Sequence, residues 1–181
     1  MEERIWHKAY APQVPPSMDY EDLTLPAALE RLARKYPDNV ALIMMGKKIT
    51  YSRLDREVNR FANALSRLGI EKGDKVALVL PNMPQMVIAT YALFRLGAVV
   101  VMNNPLYTER ELEHQLSDSG SKMAICMDLL VPRILSVKIV TGSPFTAASG
   151  DNNDAMFYLA GGQTTIHVLC LNGAAEPAYG T

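Results

Sequence analysis

The sequence predicts an α/β fold, a doubly wound and mostly parallel sheet with flanking helices. Three short apolar runs, at residues 73–80, 98–102 and 122–127, are typical of strands buried on both faces of a parallel sheet. The intervals between them have helical patterns and are long enough for crossover connections. Because such crossovers are right-handed, strand–helix–strand–helix–strand is the order of a doubly wound unit.

The segment before the first apolar run predicts a helix and a hairpin. Apolar residues recur with helical spacing after Thr24, which is placed to cap the helix, and Pro37 ends the pattern. Residues 39–51 then predict a hairpin of two short strands, with β-branched and aromatic residues on either side of a turn at Gly46 and Lys47.

Three further helices surround the predicted strands. The first presents an apolar face from Leu54 to Leu68 and ends at Gly69, where a left-handed cap is expected. A mostly apolar helix is predicted at residues 84–96, and a third helix begins after Thr108.

The Thr108 helix contains a Glu-x-x-His pair, Glu111 and His114, at the spacing used by di-iron bundle proteins. A di-iron site needs a second such pair, and neither His7 nor His167 has a glutamate three residues before it. We therefore predict no metal site. Instead, Thr108 and Glu111 form a T-x-x-E capping box, and the glutamates of the first turn favour the helix dipole.

Composition excludes several classes of function. The chain has 181 residues, 49% of them hydrophobic and 20% charged, with a formal net charge of -1, so it offers no basic surface for nucleic acid. Cys126 and Cys170 lie in apolar runs and are predicted to be small buried side chains, not disulfide or metal partners. The longest apolar stretch, residues 86–102, is too short to span a bilayer. The N-terminus lacks the apolar core of a secretory signal.

Some polar and apolar groups allow two interpretations. Asn82, Asn103 and Asn104 follow predicted strands at the carboxyl edge, where α/β sheets bind ligands, but asparagines more often close turns in left-handed geometry. The ten methionines, including the pair Met44 and Met45, are compatible with an acyl tunnel, although methionine more often fills gaps in a core. An acidic cluster, Asp19, Glu21 and Asp22, is predicted to be a solvated surface.

The composition changes near Ser136. From there to Thr181 the charged residues are Lys138, Asp151, Asp154 and Glu176 only. The segment "VTGSPFTAASG", residues 140–150, has the small residues of a phosphate loop but no lysine or arginine, so an ordinary loop is favoured. The apolar run around residues 166–171 predicts a strand.

One long ordered string, beginning "ITYSRLDREVNRFANALSRLGIEKGDKVALVLPN" and continuing through "LGAVVV" to "NPLYTERELEHQL", resembles the N-terminal region of the adenylate-forming acyl-CoA synthetases. With the lead-in "IWHKAYAPQVP", it looks most like their long-chain fatty-acid-CoA ligases. The resemblance covers about residues 5–135. Arg53 departs from the pattern, because the family commonly has a glutamate there that completes a capping box after Thr50.

The resemblance implies the large N-terminal domain of this fold and a two-step reaction. A fatty carboxylate attacks the α-phosphate of Mg²⁺-bound ATP, which releases pyrophosphate, and the thiol of coenzyme A then displaces AMP. The family's phosphate loop ending in Pro-Lys-Gly, its later acidic and arginine motifs and its C-terminal lysine domain are not found here. The expected catalytic residues are therefore none, the metal ligands none, and the cofactor-binding residues unknown.

These observations divide the chain into residues 1–135, part of an AMP-binding acyl-CoA synthetase domain, and residues 136–181, an unassigned tail. We expect an inactive N-terminal fragment of a ligase that is truncated, frameshifted or fused to a foreign tail; the encoding DNA would distinguish these. The alternatives are a non-catalytic nucleotide or acyl binding module and a self-associating interaction fragment. ATP, Mg²⁺ and coenzyme A are cofactors of the family and are not expected to bind this chain tightly. Its expected location is cytoplasmic or peripheral at a membrane.

Overall fold

A computed structural model gives the fold and describes residues 4–137, 157–158 and 165–170. The strands are β1 (Val40–Met44), β2 (Lys47–Thr50), β3 (Lys75–Val79), β4 (Val99–Met102), β5 (Met123–Met127), β6 (Phe157–Tyr158) and β7 (Thr165–Cys170). The α-helices are α1 (Leu25–Lys35), α2 (Tyr51–Arg67), α3 (Pro84–Leu96), α4 (Glu109–Ser119) and α5 (Val131–Ser136). Two short 3₁₀ helices span Ile5–Ala9 and Asp128–Leu130.

The main sheet has the order β4-β3-β5-β7-β6, with β3 between its two parallel neighbours. β7 runs antiparallel to β5, and β6 runs antiparallel to β7. The predicted parallel three-strand unit is thus confirmed. The strand expected around residues 166–171 is also present, and it extends the sheet beyond β5.

Helices cover both faces of the parallel strands. On one face Val76 and Leu78 of β3 pack in a core with side chains of α1, α2 and α3. On the other face Ala77 and Val79 of β3 pack with Leu112 and Leu116 of α4. Because neighbouring residues of β3 enter opposite cores, the strand is buried on both faces, as its continuous apolar run predicts. This arrangement confirms the doubly wound fold.

Local signals fix the ends of the helices. The hydroxyls of Thr24, Thr50 and Thr108 each accept a hydrogen bond from the backbone N–H three residues later. Gly97 and Gly120 end α3 and α4 in the left-handed conformation, with φ of 70° and 63°. The predicted capping box of α4 is confirmed, since Glu111 also accepts from the backbone N–H of Thr108 at 2.8 Å.

The hairpin of β1 and β2 is confirmed, but its turn was predicted one residue too late. Met45 and Gly46 occupy the turn, and Lys47 is the first residue of β2. Both turn residues have positive φ, 49° and 78°, as a two-residue type I′ turn requires. Sequence reasoning missed Met45 because a bulky residue is rarely found in this conformation.

The prediction that the second strand of the unit is buried was wrong. β4 lies at the edge of the sheet, and Val99 and Met102 are about half exposed. Within the described part of the chain, β4 has a strand partner on one side only, β3. The chain moves from β3 to β4 and then crosses back to β5, and this order is a tertiary property that the apolar run does not encode.

Cys126 is fully buried in β5, as predicted, whereas the side chain of Cys170 lies outside the described residues. Among the residues that the structure describes, no helix is long and apolar enough to cross a bilayer.

Candidate functional site

The carboxyl edge of the parallel strands is the candidate site. The chain leaves β3 toward the α3 face and leaves β5 toward the α5 face, because these helices pack in the two opposite cores. Where the connections of two adjacent strands, here β3 and β5, leave on opposite faces, open α/β sheets form the crevice that binds ligands. Residues 80–85 and 103–107, which follow β3 and β4, carry the polar groups of this edge that the sequence singled out.

Asn103 is a buried part of this edge, with only 7% of its surface exposed. Its backbone N–H donates to the carbonyl of Leu78 at 2.9 Å, and its side-chain amide donates to the carbonyl of Val101 at 2.8 Å. Its Oδ1 has no hydrogen-bond donor among the described residues. Asn103 therefore ties β4 to the end of β3 and presents one unsatisfied acceptor.

Gln85, in the first turn of α3, presents a second unsatisfied acceptor. It is 9% exposed, and its Oε1 likewise lacks a donor within the described part of the molecule. A buried amide oxygen without a partner costs free energy, so each of these oxygens calls for an N–H or O–H donor. Sequence reasoning did not single out Gln85; a polar residue in the first turn of a mostly apolar helix was the available signal.

The other two asparagines differ from Asn103. The side chain of Asn104 accepts from the backbone N–H of Leu106 at 2.9 Å, and Asn82 is exposed at a bend. Asn104 thus closes a turn, as the favoured interpretation predicts. The left-handed geometry expected for these asparagines is wrong, because Met45 is the one non-glycine residue with positive φ in the described chain.

Among the described residues, Arg133 is a cation that lies beside this edge and donates to backbone carbonyls. Nη1 of Arg133, in α5, donates to the carbonyl of Tyr107 at 3.1 Å and to that of Pro105 at 3.4 Å. A guanidinium that satisfies two carbonyls holds the loop after β4 against α5. Arg133 therefore acts here as a brace for the loop.

The Glu111–His114 pair lies on α4 as a helix feature. Glu111 accepts from the N–H and hydroxyl of Thr108, at 2.8 and 2.7 Å. These hydrogen bonds, the backbone one first, lower the pKa of its carboxyl. In the described ranges no group of three or more His, Cys, Asp or Glu side chains is arranged to hold a metal ion.

The described residues that follow β3 and β4 at the carboxyl edge do not by themselves fit ATP and Mg²⁺. A bound triphosphate needs cations or a row of backbone amides, and Mg²⁺ needs a carboxylate. Residues 80–85 and 103–107 contain no charged side chain, and Nη1 of the nearby Arg133 donates to two backbone carbonyls. The phosphate-loop candidate at residues 140–150, and Lys138 before it, lie outside the described residues.

The two methionines of the hairpin are not core residues, whereas Met123 of β5 is buried in the core, as the favoured interpretation predicts. Met45 is 92% exposed and Met44 is 39% exposed. Met44 borders an open apolar groove of about 230 Å³ between the hairpin and the start of α3. In the acidic cluster Glu21 forms an exposed ion pair with Arg31 at 2.6 Å, in agreement with a solvated surface.

Residues 29–160 match the family described as AMP-binding enzyme. The chain belongs to this AMP-binding enzyme family. The N-terminal parts of adenylate-forming enzymes share its fold: a fatty acyl CoA synthetase of Mycobacterium tuberculosis matches with a TM-score of 0.58 and 35% identity, over 60% of this chain and 22% of that one.

Long-chain-fatty-acid–CoA ligases are among the similar sequences. The chain is 37% identical to that of Bacillus subtilis over 77% of its own length and 45% identical to that of Yersinia pestis over 66%. It spans 25% and 22% of these two relatives, about a quarter of each. The resemblance noted from the sequence is therefore confirmed.

Proposed function

We propose that this chain forms the N-terminal scaffold of an ATP-dependent long-chain fatty-acid-CoA ligase. The reaction would convert a fatty acid, ATP and coenzyme A to acyl-CoA, AMP and pyrophosphate through an acyl-adenylate. The observation that carries this proposal is the identity of 37–45% to long-chain-fatty-acid–CoA ligases across the doubly wound unit. The neighbouring fatty acyl CoA synthetase of Mycobacterium tuberculosis supports the same substrate class.

We further propose that the chain alone does no adenylation chemistry. Transfer of the adenylyl group of ATP to a fatty carboxylate, with release of pyrophosphate, depends on positioned charges that stabilise the phosphates in the transition state. The carboxyl edge instead offers uncharged amide groups, two of them with buried unsatisfied oxygens. ATP, Mg²⁺ and coenzyme A would then belong to the longer enzyme, and this chain would bind none of them tightly. The division at residue 135, with an unassigned tail after it, is part of this proposal.

ATP/pyrophosphate exchange tests both statements. The purified chain is incubated with Mg²⁺, labelled pyrophosphate and a long-chain fatty acid, with a full-length long-chain ligase as the positive control. We expect no exchange above background from the chain and robust exchange from the control. Exchange by the chain that depends on the fatty acid would contradict the proposed inactivity, although it would support the ligase chemistry.

A binding module without catalysis is the second candidate. The two buried acceptor oxygens, of Gln85 and Asn103, favour it, because a ligand N–H or O–H would satisfy them. Isothermal titration with ATP and with a fatty acid checks this. Saturable binding of ATP without exchange would support the binding module, and Asn103→Asp should then alter the affinity for ATP. If neither ligand binds, the binding module is contradicted and the scaffold proposal stands.

Self-association through the edge of the sheet is a third candidate. β4 is a short apolar strand, "VVVM", whose outer side has no strand partner in the described residues. Such an edge is a template for pairing with another chain. Sedimentation velocity across a concentration series should show association, and Val99→Lys, at a position that is 47% exposed, should reduce it. A compact monomer at every concentration would contradict the idea.

A further inference from the structure

The tip of the β1–β2 hairpin exposes an unusual amount of apolar surface. Ile43 is 67% exposed, Met44 39% and Met45 92%. Ile43 and Met44 border the same groove, and Met45 follows them at the turn, so the three side chains form one apolar tip. Single exposed apolar residues need no explanation, whereas a contiguous group marks a site of interaction.

The backbone of Met45 makes this exposure more informative. Its φ of 49° lies in the left-handed region, which is unfavourable for a bulky side chain. Asparagine, aspartate or glycine would relieve the strain and would also remove the exposed apolar side chain. The chain thus carries, at one position, a residue that is costly both for the turn and for solvation. Strain of this kind clusters where a residue serves function.

Positive charge follows the apolar tip directly. Lys47 and Lys48 are exposed residues of β2, and residues 39–50 contain no aspartate or glutamate. An apolar tip flanked by lysines is complementary to a surface that is negatively charged outside and apolar within. The interface of a bilayer that contains anionic lipids has this structure.

The apolar surface continues from the tip into the groove beside it. Residues 42–44 of the hairpin form one wall, and residues 82–84, 86 and 87 form the other. All eight lining residues are uncharged. The groove lies open beside the tip and lengthens the surface that would meet acyl chains.

We propose that the hairpin tip docks on an anionic lipid surface. Ile43, Met44 and Met45 enter the boundary between headgroups and acyl chains, while Lys47 and Lys48 face the headgroups. This lipid contact would account for the expected peripheral location at a membrane. It is independent of the ligase proposal, because membrane contact is measured without ATP or fatty acid.

Vesicle flotation tests the proposal with the full chain. Protein is mixed with vesicles of phosphatidylcholine containing about a third phosphatidylserine, or of phosphatidylcholine alone, and centrifuged through a density gradient. Aggregated protein sinks and membrane-bound protein floats, so self-association cannot imitate binding. We expect flotation with the anionic vesicles, at least fivefold less with the neutral ones, and a strong decrease in 0.5 M salt.

Two variants locate the contact. Met45→Asn should lower the partition coefficient by about tenfold, because it removes an inserted apolar side chain. Its native circular dichroism and unchanged or higher melting temperature would show that the loss is not due to unfolding. Lys47→Glu with Lys48→Glu should lower partitioning into anionic vesicles by at least tenfold and leave the weak neutral binding unchanged.

Matched controls make the result decisive. Leu106→Asn removes a side chain that is 83% exposed outside the hairpin, and Arg34→Glu with Lys35→Glu reverses an exposed basic pair on α1. Both controls should bind like the parent chain. The proposal would be overturned if the hairpin variants floated like the parent chain, if the controls lost as much binding as the hairpin variants, or if the parent chain did not float. If the parent chain sank as an aggregate and Met45→Asn abolished the sinking, the tip would be assigned to a protein contact instead of a lipid contact.

Discussion

Arg95 joins α2 to α3, and its removal is the perturbation with the clearest expected magnitude. Nη2 of Arg95 donates to Oδ1 of Asp55, and Nη1 donates to Oδ1 of Asn59, both at 2.5 Å. The side chains of Arg95 and Asp55 are only 19% and 22% exposed. The bridge therefore connects residues 40 positions apart in a region with little solvent screening.

The coupling between Arg95 and Asp55 follows from this geometry. Two unit charges about 4 Å apart attract with about 4 kcal/mol at an effective dielectric constant of about 20. Desolvation and side-chain ordering offset more than half of this attraction in partly buried pairs. We expect a net coupling of about 1.5 kcal/mol. Nε of Arg95 is buried without a hydrogen-bond partner in the described residues, which costs free energy in the parent chain. Arg95→Met removes this cost, and the gain offsets part of the stability that the variant loses with the ion pair.

A double-mutant cycle measures this coupling. Urea unfolding of Arg95→Met, Asp55→Asn and the double variant gives the pairwise free energy. The exposed pair of Arg34 and Glu30 on α1 is the matched control, because its side chains are 78% and 45% exposed. There we expect about 0.3–0.5 kcal/mol. A coupling of Arg95 with Asp55 no larger than that of the control pair would refute the argument from burial.

Three further predictions concern stability. Thr108→Ala should lower the free energy of unfolding by about 1 kcal/mol in urea titrations, since the α4 cap is lost, whereas Thr108→Ser should not; equal losses would contradict the cap. Met45→Asn should raise the free energy of unfolding by about 0.5–1 kcal/mol, and a decrease would mean that the turn is not strained. The hydrogen bond from Lys122, aided by the backbone N–H of Glu71, lowers the pKa of Asp74, so its contribution is present above the unfolded pKa near 3.8 and lost as pH falls below it. The stability difference between the parent chain and Asp74→Asn should therefore shrink from pH 6 to pH 3, and a constant difference would rule out this linkage.

Much of the fold is predictable because its signals are local. The T-x-x-E box and Gly120 define α4, and Pro84 and Gly97 bound α3 at the predicted residues. The continuous apolar run of β3 predicts burial on two faces, which the two cores confirm. In each case neighbouring residues specify backbone geometry or periodicity without help from distant parts of the chain.

The missed features depend on tertiary position or on a conflict between local preferences. The edge position of β4 follows from strand order, to which its own four residues contribute no signal. The turn was shifted because Met45 adopts a conformation that its side chain disfavours. The unsatisfied oxygens of Gln85 and Asn103 arise from packing around the carboxyl edge. Such departures from local rules are expected at functional or strained sites.

A chimeric ligase tests the central claim most directly. Residues 5–135 of this chain replace the matching segment of the Bacillus subtilis long-chain-fatty-acid–CoA ligase, to which the chain is 37% identical. Formation of acyl-CoA from a long-chain fatty acid is measured beside the intact enzyme and a chimera carrying Leu65→Asp, which disrupts a fully buried position. If these residues form the ligase scaffold, the chimera should fold and make acyl-CoA, and the Leu65→Asp version should not. A well-folded chimera without activity toward any long-chain fatty acid would contradict the assignment.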